Sequence, residues 1–273
     1  MRSEPRLRVL ASRTALVACL AVVLVACGDD DDPSTSETTE TTESTDDTTE
    51  TTEAGGDLAS AACESIVEFN AAVTDVDTEG ASEDELIAMG EELSGVWEPV
   101  AAGAPDDVAD QVAEITSSLD DLAAGDPVAF DSDATFETYT AVLGAIVGEC
   151  GFETLSVTAA DFSFAGLPET VPSGTVAVEL ENTSEAELHE IVIFKKADGE
   201  TRNAMEILSD PAAEEAGPGE FAGAAFAPPG VTSTGLAELT PGSYIAVCFI
   251  PVGSGEDGPP HFTEGMVGEF SVE

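Results

Sequence analysis

Apolar positions along the chain change their period near residue 152. Between residues 57 and 151 they recur at helical spacing. Val108, Val112, Ile115, Leu119 and Leu122 fall at alternating steps of four and three, and Leu86, Met89, Leu93, Val96 and Val100 do the same with Trp97 beside them. Gly80, Gly103-Ala104-Pro105 and Gly125-Asp126-Pro127 punctuate the region into four helical stretches. Ser82 followed by Glu85 is a capping-box pattern opening the second stretch, and Pro105 suits the first turn of the third. Short connections make neighbours antiparallel, so an all-α antiparallel four-helix bundle is expected. Its first and last helices lie side by side, which brings Cys63 to Cys150. An oxidising compartment joins such a pair as a disulfide, stabilising by roughly 4–5 kcal/mol in the chain-entropy model.

From residue 152 to 273 the pattern is that of short strands. Leu155–Thr158, Thr175–Leu180, Ile191–Phe194, Tyr244–Ile250 and Met266–Val272 are β-rich runs between turns such as Pro172-Ser173-Gly174 and Pro241-Gly242-Ser243. Runs of this kind predict an antiparallel sandwich of two sheets. Thr201 to Asp210 reads as a short helix inserted at one side.

The first 56 residues belong to neither pattern. Arg2, Arg6, Arg8 and Arg13 precede an uncharged apolar run from Ala15 to Ala26, which is the length of a signal-peptide core and short for a bilayer span. The run closes Leu24-Val25-Ala26-Cys27-Gly28 and resembles the lipobox of bacterial lipoproteins. That resemblance implies removal of residues 1–26, lipidation of Cys27 and an extracytoplasmic protein anchored to the cell membrane by lipid. Residues 27–56 are then a tether. Asp29 to Glu53 is almost wholly Asp, Glu, Ser and Thr, with nothing to bury and like charges that repel, so an extended, disordered spacer is expected.

Charge narrows the partners. The chain carries 56 acidic and 7 basic residues, a formal net charge of −49, and beyond residue 13 the only basic side chains are Lys195, Lys196 and Arg202. Such a surface repels nucleic acid and anionic head groups, and steers the protein towards basic docking surfaces. The helical region has no histidine and no basic residue. It reads as a structural or interaction module with a solvated acidic face.

Cysteine and histidine usage carries the chemistry. Cys19 lies in the signal, Cys27 takes lipid, Cys63 and Cys150 pair, and Cys248 is left over. An odd cysteine in an exported protein calls for a role. It ends a β run, His261 and Met266 follow it, and the chain's other histidine, His189, begins the run His189–Phe194. Two imidazoles, one thiolate and a thioether make the ligand set of a trigonal His₂Cys copper site with a weak axial methionine. Such a set leaves no open coordination position, which suits electron transfer. His₂Cys also suits zinc, but the methionine favours copper.

These residues resemble a cupredoxin of the plastocyanin and pseudoazurin type. Asn182-Thr183 before His189, the run Tyr244 to Cys248, and His261 with Met266-Val267-Gly268 before a final strand match that family's order. The resemblance covers residues 152–273 and implies a Greek-key sandwich holding one type 1 copper ion. It implies His189, Cys248 and His261 as equatorial ligands and Met266 as the axial ligand. Twelve residues separate Cys248 from His261, a longer spacing than familiar members use, so residues 252–260 are expected to loop out.

The leading functional expectation is a tethered one-electron carrier cycling Cu(I)/Cu(II) with a redox partner protein. Copper capture and delivery, or a metal-free interaction or solute-binding module, are the alternatives. An enzyme is disfavoured: a second copper centre needs more histidines than two, and no Gly-x-Ser-x-Gly turn is present.

Overall fold

The computed structural model describes residues 52–273 apart from 75, 77, 79 and 255–257. The expected signal segment, the lipidated Cys27 and the tether up to residue 51 lie outside the described residues. No helix among the described residues is long and apolar enough to cross a membrane.

Four helices come first: α1 (Thr52–Thr74), α2 (Glu83–Gly103), α3 (Ala109–Ala123) and α4 (Asp133–Cys150). Helix α1 begins inside the stretch read as tether, before the boundary expected at residue 57. The capping box at α2 forms as expected. Glu85 Oε2 accepts the Ser82 N–H at 2.9 Å, and Ser82 Oγ accepts the Glu85 N–H at 3.4 Å. Pro105 sits just ahead of a 3₁₀ turn, Asp106–Val108, and not within it. There its missing N–H costs no helical hydrogen bond.

The α3 stripe from Val108 to Leu122 is buried throughout. On α2 the inward face is Leu86, Gly90, Leu93, Trp97 and Val100, with Met89 and Val96 at its margin. The face turns this way because Gly90 lets α2 lie against α3, where a Cβ would run into the Ala123 backbone. Each helix packs on the next, α1 also touches α4, and all four share one core. Phe69 stands 4.9 Å from Trp97 and 5.6 Å from Tyr139, centroid to centroid. The disulfide joins Cys63 to Cys150 with 5.6 Å between Cα atoms, tying α1 to α4.

Nine strands follow: β1 (Glu153–Ala160), β2 (Ser163–Ala165), β3 (Thr170–Val171), β4 (Gly174–Asn182), β5 (His189–Lys195), β6 (Glu220–Ala227), β7 (Thr232–Leu239), β8 (Gly242–Val247) and β9 (Val267–Val272). They form one hydrogen-bonded ribbon in the order β2-β1-β4-β7-β6-β5-β8-β9-β3, which curls into a sandwich around a single inner core. The expectation of a purely antiparallel pair of sheets needs correction, because β1–β4 and β3–β9 are parallel. The chain leaves β1, crosses to pair β3 with β9 at the far edge, and returns as β4 in the direction of β1. Parallel neighbours require such a crossover.

Strands β6 and β7 were not evident as β runs because their sequences, EFAGAAFA and TSTGLAEL, are dominated by small residues. Close approach explains the composition. A Cβ on Gly235 would meet the carbonyl oxygen of Ala224. The window expected to hold one short helix holds α5 (Ala204–Leu208), and α6 (Pro211–Ala216) follows it. Helix α5 is capped by Asn203, whose side chain accepts the Glu206 N–H at 3.0 Å. The helical unit covers the outer side of β4 and β7. Ala177 and Leu236 join its core, α4 packs on β7, and Phe136 meets Phe226 edge-on at 5.8 Å.

Candidate metal centre

Three connections at one end of the sandwich converge. His189 is the first residue of β5, opposite Ala227 of β6. The loop before it is held by Asn182, whose Nδ2 donates to the carbonyls of Glu187 and Ala227, both at 2.8 Å, while Oδ1 accepts the Ser184 N–H at 2.9 Å. An amide is suited to this place because it can donate twice and accept once in a buried loop that lacks strand partners.

Cys248 follows β8 directly and Met266 precedes β9 directly, so the β8–β9 hairpin puts them beside each other. The Cys248 N–H donates to the Met266 carbonyl at 3.2 Å, and the Cys248 carbonyl accepts the Phe262 N–H at 3.0 Å. His261 opens a 3₁₀ turn, His261–Glu264, preset by Pro260. Its N–H donates to Ile250 at 2.9 Å, and its carbonyl accepts from Met266 at 3.1 Å. The long Cys248–His261 connection is pinched at its base: Pro251 bridges Pro260, and the Val252 N–H donates to the Pro259 carbonyl at 3.0 Å.

The donor atoms meet in a dry space. His189 Nδ1 lies 3.2 Å from His261 Nδ1, and Cys248 Sγ lies 3.3 Å from His261 Nδ1. All three donor atoms fall within 4.8 Å of one another. His189, Cys248, His261 and Met266 are each 0% exposed. The ring of Phe162 leans on His261 at 4.7 Å, and both Asp161 (φ 40°) and Phe162 (φ 66°) take the left-handed backbone conformation that non-glycine residues seldom adopt.

Burial keeps these donors uncharged in the metal-free protein. It pushes the Cys248 thiol up to about 12, with the charge of Glu190 adding to the shift. Burial also lowers His189, helped by the charge of His261, and it lowers His261. Two neutral imidazoles facing each other Nδ1 to Nδ1 beside a thiol form a pocket of soft and borderline donors that favours a cation. The outward nitrogens fit the same reading: both Nε2 atoms are buried without a hydrogen-bond partner, and the nearest carboxylate oxygen to His261 Nε2 is Glu187 Oε2 at 3.5 Å. Glu190, beside His189, accepts the Phe249 N–H at 3.0 Å, and burial raises its carboxyl to about 7.

Of the residues singled out as ligands, His189, Cys248 and His261 bring their donor atoms together, while Met266 is buried and tied to Cys248 and His261 by backbone hydrogen bonds. The sequence reading did not single out Glu187, Glu190 and Phe162. In a chain with 56 acidic residues, two more glutamates beside a histidine carry no signal.

The fold and the donor set together give a curled, mostly antiparallel sandwich with one buried group of two imidazoles and a thiol, the one such donor cluster among the described residues. No protein-family model and no curated protein matches the chain. Among solved structures it is similar to dithionite-reduced auracyanin from the photosynthetic bacterium Roseiflexus castenholzii, at 26% identity over 44% of this chain and 96% of that one, TM-score 0.32. It is also similar to auracyanin A, a "blue" copper protein of Chloroflexus aurantiacus, at 20% identity over 45% of this chain and 100% of that one, TM-score 0.30. Rusticyanin from Thiobacillus ferrooxidans matches at 23% identity over 44% of this chain and 78% of that one, TM-score 0.26.

Proposed function

We propose that this protein is a lipid-anchored, extracytoplasmic one-electron carrier and not an enzyme. The observation that carries the reading is the convergence of His189 Nδ1, His261 Nδ1 and Cys248 Sγ in a space closed to solvent. A copper ion held there would supply a reversible one-electron change between Cu(I) and Cu(II). The residues do the rest. Cys248 would hold the ion as a thiolate after giving up its proton, His189 and His261 would bind it as neutral imidazoles, and Met266 would offer its thioether beside them.

Rigidity is what an electron carrier needs from its protein, and the hydrogen bonds among Cys248, Ile250, His261, Phe262 and Met266 lock three of the four ligands to one another. Full burial leaves no place for a substrate and no exposed ligand through which an ion would exchange readily. This favours electron transfer over copper delivery. Both histidines of the chain stand in this centre, so no second histidine-based metal site accompanies it.

Location and partner follow from other parts of the chain. The arginine-led apolar run ending at Cys27 supports export and lipid anchoring, and the Cys63–Cys150 disulfide supports an oxidising compartment. The strongly acidic chain supports a redox partner with a basic docking surface, met at a rate that falls with salt. Helices α1–α4, read as an antiparallel four-helix bundle, stand between the tether and the sandwich as a structural or interaction module.

The test is a redox titration of the copper-loaded full-length protein with a copper chelator present. A reversible one-electron wave with the ion retained through repeated cycles supports the carrier. Loss of the ion to the chelator on each reduction contradicts it and favours delivery.

A further inference from the structure

We propose that Glu187 is a positioning residue for the metal centre, holding His261 through its outward nitrogen while its carboxylate is itself held by the Gly253 N–H. This rests on the copper reading above and specifies what controls that site.

Glu187 is unusually well placed. Its backbone is fixed on both sides: the carbonyl accepts from Asn182 Nδ2 at 2.8 Å and Ser184 Oγ at 2.7 Å, and the N–H donates to Ser184 Oγ at 3.1 Å. Its carboxylate receives the Gly253 N–H on both oxygens, at 3.0 and 3.1 Å. The same carboxylate places Oε2 3.5 Å from His261 Nε2. One side chain thus reaches from the His189 loop to the inserted loop and to the second imidazole.

The chemistry of the ligand explains what this contact does. When His261 Nδ1 gives its lone pair to a metal, the ring proton must sit on Nε2. That nitrogen is buried and has no hydrogen-bond partner. Glu187 Oε2 is the carboxylate oxygen in reach, and a closure of a few tenths of an ångström makes the contact a charge-assisted hydrogen bond. Such a partner fixes the tautomer, orients the ring and makes the nitrogen a stronger donor. A stronger, negatively backed donor stabilises Cu(II) more than Cu(I). The long Cys248–His261 connection acquires a purpose here, because it supplies the Gly253 N–H that anchors the carboxylate over the ring.

The experiment compares full-length wild type, Glu187→Gln, Glu187→Ala and Glu185→Gln. Glu185 is an exposed carboxylate on the same loop, so its variant removes the same charge away from the ring. Copper(II) affinity and reduction potential are measured, with a thermal melt of each metal-free protein to establish folding. Glu187→Ala is expected to weaken Cu(II) binding by about 10- to 100-fold. Glu187→Gln, which keeps an acceptor for Gly253, is expected to raise the potential; a tenfold change in the Cu(II) to Cu(I) affinity ratio reads as about 59 mV. Glu185→Gln is expected to match wild type in both. A folded Glu187→Gln with the affinity and potential of Glu185→Gln overturns the positioning role while leaving the copper centre intact. Wild type that takes up no copper overturns both, and the two failures are told apart by that first measurement.

Discussion

His189 and His261, 72 residues apart in the chain, face each other Nδ1 to Nδ1 at 3.2 Å with neither ring exposed to solvent. Strand β5 brings one and the turn after the β8–β9 neck brings the other, and Cys248 closes the group. Two lone-pair nitrogens at that separation can share a single proton between them, or a cation in its place.

Metal uptake should release protons in a defined number. At neutral pH the Cys248 thiol, raised to about 12, holds its proton, and the two lowered imidazoles are neutral. Binding of Cu(II) at pH 7.5 therefore releases about one proton per ion, from Cys248. Calorimetric titration in buffers of different ionisation enthalpy measures it, and Cys248→Ser should release none.

Stability of the metal-free protein should respond to pH through Glu190. Its carboxyl is raised to about 7 by burial, above its unfolded value near 4.5. The unfolded chain then loses its proton first, so the stability associated with this group is fully present below about 4.5 and lost as pH rises through about 7. The histidines act in the opposite sense, since depressed values make the unfolded chain bind protons first as pH falls below about 6.5. Replacing Glu190 with Gln retains an acceptor for Phe249 and removes the charge. Denaturant melts should find Glu190→Gln more stable than wild type at pH 8, with the difference gone at pH 4.

Much of this site was legible before the fold. Cysteine arithmetic left Cys248 unpaired, and the order His189, Cys248, His261, Met266 pointed to one strand start and the closing hairpin; His189 heads β5, Cys248 follows β8, Met266 precedes β9, and His261 stands on a 3₁₀ turn between them. The β-branched runs of β1, β4, β5, β8 and β9 were evident as strands. Strands β6 and β7 were not, because the physical demand there is close backbone approach, met by Gly and Ala, which carry no β signature. The parallel pairings also lay beyond reach, since they depend on a crossover and not on any local pattern. Glu187 reads as one acid among many until Gly253, 66 residues on, is seen against its carboxylate.

Asn182 should matter more than its position outside the ligand set implies. It is 1% exposed and its amide holds the carbonyls of Glu187 and Ala227. Asn182→Ala takes one donor from each of those carbonyls, though Glu187 keeps Ser184 Oγ, at a cost of about 1–3 kcal/mol, and frees the loop that carries Glu187 and His189. A denaturation midpoint shift of that size with weakened copper binding is expected. A stability loss without any change in copper binding would separate Asn182 from the centre.

The disulfide should stabilise the helices without touching the metal. Cys63 and Cys150 close a sequence separation of 87, so the double change to serine is expected to lower helical stability by about 4–5 kcal/mol in the chain-entropy account. Far-ultraviolet circular dichroism on heating reads the loss, and the visible spectrum of the copper-loaded protein should stay as in wild type.

The central claim is that Cys248 and two histidines hold copper in a buried, trigonal thiolate site. The visible absorption spectrum of the full-length protein after addition of Cu(II), beside a Cys248→Ser control, tests it most directly. An intense blue thiolate-to-copper charge-transfer band, absent from the control, is the predicted result. A protein that stays colourless and binds no copper, or a spectrum unchanged by Cys248→Ser, contradicts the account.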